Sequence, residues 1–159
     1  MSAPPVTAGA SSGAARRMVR VLYPHQLFEA HLDAPPGTRF VLVEDDLLFR
    51  HQPFHAQKLV LHRASSRHFV ERLRDAGFDV DVLETDAGRP SGEQLAAHLA
   101  GLRPDALTVI DPVDDWMLRD LRRSVADAGL GFGPHDVLES PTFLTTRPDL
   151  VGWFGDRRA

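Results

Sequence analysis

The sequence predicts an α/β protein built on a doubly wound, mostly parallel five-stranded sheet with helices on both faces. Short runs rich in Val, Leu and Ile recur along the chain and are apolar nearly throughout, the pattern of strands buried on both sides. Amphipathic stretches long enough for crossover helices separate them, and such alternation implies parallel pairing. Right-handed crossovers that cover both faces then put the first strand in the centre of the sheet.

The elements follow in order. "VRVLY" (Val19–Tyr23) is a β-branched run that predicts a buried strand, and "FVLVE" (Phe40–Glu44) predicts a second. Phe54–Ala76 carries the first long helical pattern, closed by Gly77. "FDVDVLE" (Phe78–Glu84) alternates and reads as the third strand. Gly92–Leu102 is helical, with Ser91 and Gln94 in the spacing of an S-x-x-Q capping box. "ALTVID" (Ala106–Asp111) is the fourth strand, and Asp114–Ala128 is a helix stopped by Gly129. "DVLES" (Asp136–Ser140) reads as a short fifth strand. A last short helix starts near "TTRPDL", with Thr146 as N-cap and Pro148 in the first turn. Residues 1–17, rich in Ala, Ser, Gly and Pro, read as a disordered leader before a single domain over residues 18–159.

Composition narrows the function. The chain has 159 residues, 43% of them hydrophobic, and a net charge of −4. An acidic balance argues against nucleic-acid binding by the domain alone. The absence of cysteine excludes disulfides, thiolate metal sites and iron–sulfur ligation from this chain, and it fits a cytoplasmic location. No apolar run is long enough to span a membrane. The first strand leads into Tyr23-Pro24-His25-Gln26-Leu27, which has no glycine for a pyrophosphate turn, and no P-loop follows elsewhere. No G-x-S-x-G elbow is present.

Ligands on such sheets collect at the carboxyl ends of the strands. The stretch "HAQKLVLHRASSRHF" (His55–Phe69) places Leu59, His62, Ser66, Phe69, Val70 and Leu73 on one helical face, with His55 and, at the margin, Lys58. The apolar half predicts contact with the sheet. The polar half falls at the ligand edge and predicts a pocket or a docking surface. Arg63, Arg67, Glu71 and Arg74 read as a solvated face. For each polar residue alone the plain alternative is an exposed or carbonyl-bonded side chain. His51, His55 and His62 with Glu44, Asp45 and Asp46 offer a weaker metal alternative, whose spacing matches no established zinc pattern. "EDD" reads more simply as a loop and cap cluster.

"YPHQLFEAH", "VEDDLLF", "HAQKLVLHRASSRHF", "DPVDDW" and "SPTFLTTR" occur in the order seen in bacterial cryptochrome/photolyase-related proteins, especially the iron–sulfur branch. The chain resembles their N-terminal domain from about Val19 onward. The resemblance implies a Rossmann-like fold that holds an antenna chromophore, of ribityllumazine or deazaflavin type, to harvest light for a flavin. The FAD, the iron–sulfur cysteines and the DNA-repair or photoreceptor chemistry belong in that family to a following helical domain. Without that catalytic half, this chain is expected to bind neither FAD nor a cluster and to have no repair activity alone.

By resemblance, the antenna would lie among Tyr23, His25, Glu44, Leu48, His51 and Lys58, with His62 beside them. Glu44 and Lys58 match the lumazine-binding members, which carry acidic residues where this chain has His25 and Leu48. The other reading is a non-catalytic interaction module that docks a helical FAD-binding partner domain, or a second copy, and holds no chromophore. For that contact Phe143, Leu144, Leu150, Trp153 and Phe154 are expected to face solvent, joined by Leu47, Phe49 and Phe54.

Overall fold

The computed structural model describes residues 16–155, so most of the expected leader lies outside the described residues. Five strands, β1 (Met18–Leu22), β2 (Arg39–Val43), β3 (Asp79–Leu83), β4 (Ala106–Ile110) and β5 (Val137–Leu138), form one sheet in the order β3-β2-β1-β4-β5. Every pair is parallel, and β1 is central as expected. β5 is shorter than its sequence pattern and pairs with β4 only through Val137 and Leu138.

The strands sort their side chains by the period of two. One face presents Leu22, Phe40, Leu42 and Val80 to Phe69, Val70 and Leu73 of α2 (Ala56–Asp75), with Leu27, Leu32 and Ala34 filling in beside them. The other presents Val19, Val21, Tyr23, Val41, Val43, Leu107 and Val109 to α3 (Ser91–Leu102) and α4 (Asp115–Asp127). α4 shows the clearest stripe, burying Met117, Leu121, Ser124 and Val125. Each fully buried Leu or Phe contributes about 1.5–3 kcal/mol of transfer free energy, so the two layers carry most of the stability.

Helix ends follow their local chemistry with one exception. Asp114 caps α4 by accepting from Trp116 N–H and Met117 N–H. Thr146 caps the last helix, α5 (Arg147–Phe154), in a reciprocal box with Asp149. Gly77 (φ +89°) and Gly129 (φ +73°) take the left-handed positions after α2 and α4. The capping box expected at Ser91 does not form. Ser91 is the first helical residue after Pro90, and its N–H donates to Asp46 Oδ2 (3.0 Å) while its Oγ accepts from Asp46 N–H (3.1 Å). Gln94 turns instead to the Arg89 carbonyl. Asp46 opens the four-residue helix α1 (Asp46–Phe49), where the sequence pattern suggested only a loop. The EDD cluster does cap, since Asp45 accepts from Leu47 N–H. Because α1 folds back on the domain, Phe49 is buried and Leu47 packs on the core, against the expectation that both face solvent.

Two buried titratable groups oppose each other in pH. His31 is fully buried between Phe28, Phe40 and Phe69, and burial lowers its pKa from 6.5 to about 4. Its stabilising contribution is complete above pH 6.5 and is lost as pH falls toward 4. Burial raises the Asp45 carboxyl from 3.8 to about 6, so its contribution is complete below 3.8 and is lost as pH rises through 6. Each shift corresponds to about 3 kcal/mol, with opposite sign over the same window. Wild-type stability is expected to change little between pH 4 and 6. Asp45→Asn keeps a competent cap and removes one arm, so its urea midpoint should fall steeply as pH drops through that range. Equal slopes in the two proteins would refute the opposition.

Candidate functional site

The carboxyl edge of the sheet is where the chain leaves β1, β2 and β4 for polar loops. Glu44 follows β2 directly and is only 4% exposed, because its side chain continues the apolar face that α2 covers. A carboxylate buried there needs partners. Arg63 supplies two, Nε to Oε1 at 2.9 Å and Nη2 to Oε2 at 2.8 Å, and Thr85 N–H donates to Oε2 at 3.0 Å. Arg63 therefore does not belong to a solvated face, as its helical angle suggested. A guanidinium reaches past its own backbone arc, and the buried carboxylate draws it in.

The polar half of the α2 face differs from expectation too. His55 is the N-cap, accepting Gln57 N–H on Nδ1, and is exposed. Lys58 is exposed, with Nζ 3.6 Å from the centroid of the half-buried Phe54 ring. His62 is half-buried against Phe49, and the first buried residue of α2 is Ser66. No side chain of the first two turns is buried, so the inward arc there stays at the rim.

The seven expected site residues share this edge but not one cavity. Tyr23 is buried under the edge, and burial raises its phenol pKa with help from Asp45 and Asp120. His25 stacks on it (6.1 Å between rings) and bonds the Pro112 carbonyl through Nε2 at 3.2 Å. Leu48 packs on the core beneath. His51 lines an open cleft of about 600 Å³ with Asp45, Asp46, Ser91 and Asp120. Glu44 lines another of about 290 Å³ between α2 and β3. His25 and His62 both have lowered pKa values, chiefly from desolvation, and each cation would also repel a neighbour: His62 for His25, Lys58 for His62. Both shifts favour the neutral imidazole, which can accept or donate to a ligand. Val113, beside Pro112, takes φ +60°, a strained value for a β-branched residue. Among the described residues no cluster of three or more His, Asp or Glu is placed to hold a metal ion.

A profile of deoxyribodipyrimidine photo-lyase-related proteins matches residues 20–159. The chain belongs to this family. It is also 30% identical over 150 residues to an uncharacterized protein of Acanthamoeba polyphaga mimivirus, an alignment that spans 88% of this chain and 72% of the viral one. No helix among the described residues is long and apolar enough to cross a membrane.

Neither Arg63 nor Thr85 was legible as a partner of Glu44. The only trace in the sequence is an arginine one residue beyond the inward His62, which names no partner. In this photolyase-related domain the ion pair fixes the edge of β2 to α2. The Arg63 side chain is 42% exposed and Glu44 5%, so solvent screens one end of the pair. Arg63→Met is expected to cost about 1–3 kcal/mol, less than the loss of one partner from a fully buried pair. Restoration by the double variant Glu44→Gln/Arg63→Met, followed by urea denaturation, checks that the cost is the stranded carboxylate.

Proposed function

We propose that this chain is the antenna-type α/β domain of a photolyase- or cryptochrome-related light-responsive protein, acting without catalysis of its own. The observation that carries the reading is the anchored Glu44 at the end of β2. A carboxylate offers about four acceptor positions, and Arg63 and Thr85 take three of those of Glu44. One position remains for a ring N–H or a ribityl hydroxyl. Neutral His25 and His62 and the solvent-facing Lys58 ammonium supply further polar contacts along the same edge. FAD, an iron–sulfur cluster and DNA repair would belong to a separate helical domain. Titration with ribityllumazine and deazaflavin ligands, read by their visible or near-UV bands, tests the proposal. Glu44→Ala should weaken binding about tenfold or more, the loss of a hydrogen bond to a charged group. No binding by wild type, or unchanged affinity in the variant, would remove this site.

A second reading, a docking module, draws support from a different surface. Phe143 (57%), Leu144 (104%), Leu150 (46%), Trp153 (67%) and Phe154 (58%) are exposed on and beside α5, which buries none of its residues. Arg147 ties this segment to Asp111 at the end of β4. Exposed large apolar side chains gathered on one short segment mark an interface or an aggregation liability when they join into a patch. We expect the isolated chain to self-associate, or to dock a helical FAD-binding domain, through these residues. Light scattering over a concentration series should show association in wild type and a monomer in Trp153→Ser/Phe154→Ser. A monomeric wild type would count against self-association.

A further inference from the structure

The cleft between α2 and the edge strand β3 has features that the antenna reading does not use. It holds about 290 Å³ and is lined on the sheet side by Leu42, Glu44, Val82 and Glu84, and on the helix side by Ser66, Val70, Glu71 and three arginines, so acidic and basic groups share its walls. Ser66 is only 4% exposed, yet its Oγ has no hydrogen-bond partner. Other helical serines here behave differently: Ser65 donates to the Leu61 carbonyl at 2.7 Å and Ser124 to Asp120 at 2.9 Å. A buried hydroxyl without a partner costs about 1–3 kcal/mol, so a ligand atom that meets it gains what the fold leaves unmet.

The charges around the cleft are not all used either. Arg63 is committed to Glu44, and Arg74 donates to the Val80 carbonyl. Arg67 has no ion pair among the described residues. Glu84 stands near Arg63 at the opposite wall. The 40%-exposed Val82, with the edge of Val70 and the fully buried Leu42 behind, gives the cleft its apolar side. An apolar cavity of about 150 Å³ admits a benzene ring. This cleft has room for a ring with polar groups at both ends.

We propose that the α2–β3 cleft is a binding site for a small aromatic acid carrying a second hydrogen-bonding group. The ring lies on Val82, against the edge of Val70. The carboxylate meets Arg67 in the charge-assisted pairing that guanidinium favours. The second group, a hydroxyl or amine, bonds the Ser66 hydroxyl or the Glu84 carboxylate. This site shares the Glu44 wall with the proposed antenna edge and differs from it in using Ser66, Arg67 and Val82 where the antenna would use His25, His62 and Lys58.

The probe is 4-hydroxybenzoate, titrated into the ¹⁵N-labelled chain with amide shifts as the readout. Saturable shifts are expected at Ser66, Arg67, Val70 and Val82, with a millimolar or tighter Kd. The neutral 4-hydroxybenzamide should bind about tenfold more weakly, since it loses the charged contact. Arg67→Gln should remove that preference, and Ser66→Ala should weaken both probes. Val82→Phe should abolish binding by filling the cleft from a strand position that suits an aromatic residue. Absence of saturable shifts, or affinities unchanged in Ser66→Ala and Arg67→Gln, would overturn the proposal. Shifts confined to His25, His62 and Lys58 would also overturn it, since they would assign the acid to the strand-end edge.

Discussion

The central strands β1 and β2 are buried on both faces, and the rest of the structure follows from that constraint. Val21, Leu22, Phe40, Val41 and Leu42 have no accessible surface. Strands in that position need a helical layer above and below, so the chain must cross over after each one. α2 and the 27–34 stretch close one side; α3 and α4 close the other. Little polar chemistry can be accommodated inside, and most of it is displaced to the strand ends. Even the charged Arg20, on β1 itself, is buried only with Thr108 as partner and Phe40 beneath its guanidinium.

At the carboxyl edge that displaced chemistry serves the fold and the site at once. Glu44 and Asp46 each hold two elements together: Glu44 joins β2 to α2, and Asp46 joins α1 to the start of α3. Glu44 takes the Thr85 N–H just past β3 together with the Arg63 guanidinium, and Asp46 takes the Ser91 N–H at the start of α3. The same carboxylates face the clefts. A ligand at this edge therefore adds to an existing network instead of meeting isolated groups. Such networks favour a fixed geometry, because each member orients the next.

The solvent-facing segment after β5 is built on the opposite principle. α5 has sound local signals, a capping box and a proline in the first turn, and it forms for those reasons. Its apolar residues Leu150, Val151, Trp153 and Phe154 stay exposed, and Arg147 bonds the sheet edge at Asp111. Local chemistry made the helix, which buries none of its own residues.

The strands, the crossovers, the central place of β1 and most helix ends were legible in the sequence, because they rest on short-range periodicity and on caps and glycines within a few residues. Burial of Phe69, Val70 and Leu73 followed from the same arithmetic. Reach and competition were not legible. Arg63 leaves its own arc for Glu44, 19 residues away, and Asp46 takes the N-terminus of α3 from Ser91's expected box, 45 residues away. His55 stays at the rim as the N-cap of α2, and Lys58 stays exposed over the Phe54 ring. Sequence periodicity determined which residues share a face. Tertiary structure alone decided which faces met a partner, because partners for buried charges and orphan helix ends are chosen by proximity in space.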